Sequence, residues 1–264
     1  MRTLVHLSDL HFGRVDKQLL APLARAVRAA APQLVVVSGD LTQRAKSAEF
    51  RDARRFLDTL PAPLLVVPGN HDVPLYNLFQ RFFQPLDKYR RHIAHDVEPA
   101  YVDDEIAVLG VNTARSSVFK GGRINPAQIA RVRNRFAALA RNVTRIVVTH
   151  HPFDLPPGHG SRALVGRARL AMRAFADCGA DILLAGHLHA SHAGDTAARY
   201  EFSALFIQAG TATSVRGRGE VNSFNVVQID TPRVRVERFG WTGDQFAVAS
   251  TESFERRPVG WQRH

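Results

Sequence analysis

A disulfide is excluded from the start, because the chain of 264 residues has one cysteine, Cys178. That fits a reducing compartment. Cys178 ends the apolar stretch 172–178, where a buried structural thiol is expected rather than a reactive one. Long hydrophobic runs are also missing. None approaches the roughly 18 residues of a membrane span, and the opening MRTLVHLSDLHFG turns polar too soon for a secretory signal. The expected location is the cytoplasm. Acidic residues are the scarcer charge, 24 Asp plus Glu against 35 Lys plus Arg. The resulting formal charge of +11 favours anionic partners: nucleotides, nucleic acid or an anionic membrane surface. No linker, repeat or low-complexity segment divides the chain, so residues 1–264 are expected to form one domain with a sizeable core.

What the sequence does have is a series of short apolar runs separated by helix-like segments. Strands are predicted at 3–7, 34–38, 64–67, 106–111, 146–149 and 182–185, and helices at 19–30, 48–60, 127–141 and 164–178. Pro126 suits the first turn of the third helix. Strand alternating with helix argues for an α/β fold. Residues 75–101, rich in proline and phenylalanine, read as irregular with short helices. In the last third, 206–209, 224–229 and 234–239 read as strands without intervening helices, which predicts a mostly antiparallel second sheet packed on the first.

Five of the predicted strands run into loops that carry Asp, Asn or His. The loops are Ser8-Asp9-Leu10-His11, Gly39-Asp40, Gly69-Asn70-His71-Asp72, His150-His151-Pro152 and Gly186-His187-Leu188-His189. Carboxyl ends of strands are where open α/β sheets place ligands. Carboxylate, amide oxygen and imidazole together suit a borderline divalent ion such as zinc, manganese or iron, whereas calcium would take oxygen alone. In Asp9/His11 and His187/His189 the two donors are two apart, so an extended backbone points both to one side. The glycines before Asp40, Asn70 and His187 allow sharp turns and leave room for an ion or a phosphate.

These blocks, in this order, resemble the calcineurin-like metallophosphoesterases: D-x-H, G-D, G-N-H-D, a lone H, then G-H-x-H, spanning residues 9–189. The resemblance implies a four-layer α-β-β-α sandwich of two mixed sheets flanked by helices. It implies two divalent ions (manganese, iron or zinc), with Asp9, His11, Asp40 and His189 on one and Asp40, Asn70, His150 and His187 on the other. Asp40 would bridge. Such an ion pair can acidify a shared water and clamp an in-line phosphoryl displacement. His71, not needed as a ligand, would be the acid that protonates the leaving oxygen. Asp72 would either orient that imidazole or hold its loop.

Other polar residues carry two readings each. Arg14 either meets a substrate phosphate or is a surface arginine, and Asn112 either touches substrate or caps a turn. His151 is expected beside the ligands rather than among them. His6 is expected to be a hydrogen-bonded strand residue, and His192 to miss the site. His92, His95 and His159 are expected in solvent.

Within the superfamily the HLSDLHFG opening, the His-His-Pro block and the compact length look most like the bacterial class III cyclic-nucleotide phosphodiesterases. The expected substrate is therefore a cyclic nucleotide or similar small phosphodiester. A lipid-linked pyrophosphate hydrolase similar to the UDP-diacylglucosamine hydrolases is the alternative, although that subfamily commonly has Arg where this chain has His71. A nuclease ranks lower, since only 75 residues follow His189. A non-catalytic scaffold of the same fold would be expected to lose ligands that this chain keeps.

Overall fold

The computed structural model describes residues 1–61, 63–118, 121–156, 160, 163–215 and 220–264, so His159 lies outside the described residues. Its described strands form a seven-stranded and a six-stranded sheet. In chain order the first sheet comprises β1 (Arg2–Leu7), β2 (Leu34–Val37), β3 (Leu64–Val66), β10 (Ser223–Asp230), β11 (Arg233–Trp241), β12 (Phe246–Arg257) and β13 (Gly260–Arg263). The second comprises β4 (Ala100–Val102), β5 (Ile106–Gly110), β6 (Thr144–Val148), β7 (Ile182–Ala185), β8 (His192–Asp195) and β9 (Leu205–Gln208). The helices are α1 (Leu20–Ala29), α2 (Ser47–Leu57), α3 (Leu78–Phe83), α4 (Asp87–His92), α5 (Pro126–Ala137) and α6 (Ala168–Asp177).

Three apolar clusters give the order of the layers. Leu4, Val36, Ile146, Ile182, Ile207, Val227 and Phe254 meet between the two sheets. Val5, Val35, Leu23, Phe50 and Phe56 join the first sheet to α1 and α2. Ala107, Val147, Val132, Phe136 and Phe175 join the second to α5 and α6. Along β1 and β2 successive residues therefore face opposite cores, as a strand covered on both sides requires. β1 runs parallel to β2, and β2 to β3, while β10 lies antiparallel to β1. The result is the expected α-β-β-α sandwich of two mixed sheets.

The last third departs from its reading. Its strands do not make a second sheet of their own. β9 pairs parallel with β7, whereas β10 to β13 extend the first sheet from β1. A strand's alternation reports that it has a buried face but not which neighbour it pairs with. Predicted helix 164–178 is also shorter, starting at Ala168. Gly166 hydrogen-bonds Gly122 and Ile124 through its backbone, and Arg167 takes a left-handed φ of 70°, so the helix cannot begin earlier. The third helix starts where Pro126 suggested. Asn125 Oδ1 accepts from Gln128 N at 2.9 Å, and Gln128 Oε1 accepts from Asn125 N at 2.9 Å, a reciprocal cap. His92 is half-buried and stacks on Phe50 at 6.3 Å rather than standing in solvent. Among the described residues no helix is long and apolar enough to cross a membrane.

Because β12 contributes Phe254 to the core between the sheets, the C-terminal strands belong to the scaffold that carries the site. Phe254→Ala is expected to lower unfolding free energy by about 3–5 kcal/mol in a denaturant titration. A loss below about 1 kcal/mol would mean that these strands pack only peripherally.

Candidate metal centre

The five loops of the motif meet at one edge, where β1, β2 and β3 of one sheet and β6 and β7 of the other end. Main-chain bonds register the loops on each other: Asp9 N to Gly39 O at 3.1 Å, His11 N to Asp40 O at 2.9 Å, and Gly186 N to His150 O at 3.1 Å. The backbone there is strained. Eight non-glycine residues among those described have positive φ, and five of them are Asp9, His11, Asp40, His187 and His189, at 51° to 78°. Such conformations cost on the order of 1–3 kcal/mol each and persist where the surroundings hold them for a function. Gly69 has a different reason from the one read in the sequence. A Cβ there would collide with the Asp40 carboxylate, so the glycine makes room for a ligand side chain rather than for an ion.

Two groups of donor atoms result. In the first, Asp9 Oδ1 lies 3.3 Å from His189 Nε2 and 3.5 Å from His11 Nε2. The two imidazole nitrogens are 3.4 Å apart. In the second, His150 Nε2 lies 3.3 Å from Asp40 Oδ2 and 3.2 Å from Asn70 Oδ1. His187 joins this group through His150, the two rings being 5.1 Å apart. Asp40 Oδ2 is also 3.8 Å from His11 Nε2, so it stands between the groups as a bridging carboxylate must. All seven predicted ligands thus come together, most of them fully buried.

The donor chemistry fits cations. His150 Nδ1 sits 2.7 Å from the Ser38 carbonyl, an acceptor only, so Nδ1 carries the ring proton. That leaves Nε2 of the neutral ring as a lone pair facing two oxygens that are acceptors themselves. Asp9 Oδ1, buried without a hydrogen-bond partner among the described residues, faces two more imidazoles. Lone pairs converging in this way need a positive ion between them. Without a metal ion a proton takes that place on His150. Burial disfavours a charge on His150, but the Asp40 carboxylate outweighs it and lifts the imidazole to about 9. Burial likewise opposes ionisation of Asp9 and Asp40, yet the surrounding imidazoles hold both below the usual carboxylate range. Burial lowers His187 to about 4, leaving it neutral and available as a ligand. Supporting groups orient the rings: Thr211 Oγ1 lies 2.6 Å from His189 Nδ1.

His71 stands half-buried at the rim, edge-on to the His11 ring at 5.0 Å. Its Nδ1 lies 2.9 Å from the Gln43 carbonyl and 3.3 Å from Gln43 Nε2, and the ring stands within ligand distance of His11 and Asp40. Asp72 does not orient this ring, which corrects the catalytic role considered for it. Its carboxylate accepts from the backbone amides of Leu41, Thr42 and Gly69 at 2.9–3.2 Å and from Thr42 Oγ1 at 3.0 Å. It ties the Asp40 loop to the Asn70 loop. Burial and the nearby Asp40 charge raise its pKa to about 6 against those amide bonds. Asn112 is a turn cap: its Oδ1 accepts from Ala114 N at 3.0 Å. Arg14 is exposed next to the first loop, where its main-chain N–H donates to His11 O at 2.8 Å. His192 packs near Phe206 on β8, outside the donor groups.

His151, expected beside the ligands, lies within ligand distance of His150 and His187. It is fully buried, its Nδ1 is 2.8 Å from Thr113 Oγ1, and its ring lies 4.6 Å from that of His187. Nε2 finds no hydrogen-bond partner among the described residues, and the ring can join His150 and His187 around one ion. The adjacent pair His150-His151 was the only signal for it. His6, expected to be satisfied, is only half so. Its Nε2 meets Ser38 Oγ at 2.9 Å, and burial depresses its pKa to about 3.

Two substitutions test the centre by metal analysis. Asp40→Ala is expected to lose at least one ion together with hydrolysis, since only a bridging ligand serves both groups. Unchanged metal content would remove the bridging assignment. Thr211→Val, which takes the partner from His189 Nδ1, is expected to weaken metal affinity by about 10–100-fold with the fold intact.

The sequence model of the calcineurin-like phosphoesterases matches residues 2–191. The chain is 26% identical over 198 residues to the glycerophosphodiester phosphodiesterase GpdQ of Enterobacter lignolyticus (strain SCF1), covering 67% of this chain and 69% of that protein. Its backbone is similar to that of purple acid phosphatase PPD1 from yellow lupin (Lupinus luteus) seeds, with a TM-score of 0.70 and 10% identity. That match covers 97% of this chain and 54% of the lupin chain, so this protein spans about half its length. A dimetal phosphatase from Danio rerio gives 0.64 at 15% identity, covering 94% and 99%. The two structural likenesses bear on the fold. The family match runs through every donor block, and the chain therefore belongs to the calcineurin-like phosphoesterases, hydrolases of phosphoester bonds.

Proposed function

We propose that this protein is a phosphodiesterase of small substrates, a cyclic nucleotide or a similar compact diester, acting as one domain with two divalent ions of the manganese, iron or zinc kind. The observation that carries the reading is His71: a half-buried imidazole held at Nδ1 by the Gln43 carbonyl and clustered with His11 and Asp40. A phosphodiester has a poor leaving group, an alkoxide that needs a proton, and His71 Nε2 is placed to give one. The 26% identity to a glycerophosphodiester phosphodiesterase supports the same substrate class.

Asp9, His11, Asp40 and His189 would hold one ion, and Asp40, Asn70, His150 and His187 the other. When bound, such ions activate water and neutralise phosphoryl charge. The protein's own groups do the rest. Asp72 holds the Asp40 and Asn70 loops together through three amides, which keeps His71 in register with the ligands. Arg14, exposed at the mouth, offers paired donors to a phosphate oxygen. In its doubly protonated form His71 would pass the Nε2 proton to the departing oxygen and keep the Nδ1 proton on the Gln43 carbonyl.

His71→Ala is expected to keep its metal and to slow turnover by about 10²–10⁴-fold for alkoxide leaving groups, with a much smaller loss for p-nitrophenol diesters. Equal losses on both would remove the acid role, and lost metal would make His71 a ligand. A salt titration with a cyclic nucleotide, a single-stranded oligonucleotide and a nucleotide-linked lipid sorts the substrates. The cyclic nucleotide should be turned over with a modest salt response, since one phosphate releases few counterions. Turnover of either other substrate without the cyclic nucleotide would overturn the choice.

A further inference from the structure

α3 reverses the usual burial pattern of a surface helix. Of the twelve large apolar side chains exposed among the described residues, five fall within positions 76–83: Tyr76, Leu78, Phe79, Phe82 and Phe83, each between 54% and 75% exposed. The inward side chain of the same helix is Arg81, 1% exposed. Its guanidinium donates to the carbonyls of Ser116 at 2.7 Å, Pro74 at 2.9 Å and Val118 at 2.9 Å. The helix is thus held with its charge inside and its aromatics outside. Phe79 and Phe83 meet in the open, their ring centroids 5.0 Å apart and their planes tilted by 33°. A patch of this kind marks an interaction surface.

Its position connects it to the metal centre. Pro74 lies two residues beyond Asp72, and Ser116 three beyond Thr113, whose hydroxyl meets His151. Arg44, next to Gln43, reaches Tyr76 Oη at 2.6 Å and lies over its ring at 5.0 Å. α3 therefore stands on the rim, held by the segments that carry the site.

The flank is basic. From 84 to 95 the chain has Lys88, Arg90 and Arg91 against one acid, Asp87, and Arg90 and Arg91 are exposed. Exposed aromatics bordered by arginine and lysine are what the interface of an anionic bilayer takes up, the rings at headgroup depth and the cations on lipid phosphates. A second copy is a poor fit. The patch is a convex helix of six residues, far from the roughly 800 Å² per partner of a stable interface, and pairing it with itself would bring the same cations together.

We propose that α3 and its basic flank are a docking face for an anionic lipid bilayer, which sets the mouth of the metal centre at the membrane surface. The docking does not depend on which phosphodiester is cleaved. Sedimentation of the whole protein with vesicles tests it. Wild type should bind phosphatidylcholine vesicles containing phosphatidylglycerol and not those of phosphatidylcholine alone. Phe79→Ser with Phe83→Ser should weaken that binding by about tenfold or more, without changing Tm or the hydrolysis of a soluble p-nitrophenyl diester. Arg90→Glu with Arg91→Glu should weaken it most at low salt. The proposal is overturned if wild type ignores the anionic vesicles, if it binds both compositions equally, or if the phenylalanine variant binds as wild type does. It is also overturned if analytical ultracentrifugation finds a dimer that the phenylalanine variant dissociates, because the face would then serve self-association.

Discussion

Everything around the centre answers to one constraint: buried lone pairs that face each other. Asp9 Oδ1 and Asp40 Oδ2 converge with three imidazole Nε2 atoms at 3.3–3.8 Å, where hydrogen bonds alone cannot satisfy them all. A cation resolves the conflict, and without one such groups would repel or protonate. The positive φ at five of the candidate ligands follows from the same demand. A relaxed loop would let the donors spread, whereas the left-handed turns keep them aimed inward at a backbone cost that the surrounding main-chain bonds support.

The candidate ligands come from both sheets, so the apolar layer between the sheets is part of the candidate site's geometry. Asp9, Asp40 and Asn70 follow strands of the first sheet, and His150, His187 and His189 follow strands of the second. The layer of Leu4, Val36, Ile146 and Ile182 sets the spacing between those strand ends. Close packing transmits small displacements, because an interior at crystal-like density has little free volume to absorb them. Ligand positions on opposite sheets are therefore only as exact as that layer. Direct ties across the gap tighten it further: His150 Nδ1 reaches Ser38 O at 2.7 Å, and His187 N reaches Asp9 Oδ2 at 2.9 Å.

The strand ends and their donor residues were legible in the sequence because each apolar run stops abruptly at Asp, Asn or His, and because the blocks keep one order. What was not legible depends on pairing and orientation. The residues of β10 to β13 alternate much as any half-buried strand does, and only the three-dimensional partner decides that they extend β1. Asp72 directly follows His71, which suggested a contact between them, yet the short 3-10 helix Asn70–Asp72 points the carboxylate back to the amides of Leu41, Thr42 and Gly69 instead. The role of orienting the ring falls to the Gln43 carbonyl, a backbone group that no side-chain pattern could announce. His151 was hidden for a related reason: residues next to each other at the end of a strand are expected to diverge, but a bend places both rings by His187.

The same distinction between residue type and orientation separates the two uses of arginine in this chain. Most of the cationic excess lies on exposed helix faces, where it contributes long-range attraction to anions and little to stability. Among the described residues Arg81 is the arginine that is fully buried. A guanidinium buried with three carbonyl partners resists displacement, because removing any partner leaves a charged donor unsatisfied in a poorly solvated place. It therefore fixes the backbone of Pro74, Ser116 and Val118 around one centre and leaves the four aromatic rings of the region 76–83 no inward position to occupy. Their exposure follows from the hydrogen bonding of a single buried side chain, on the rim of a site whose substrates carry phosphate.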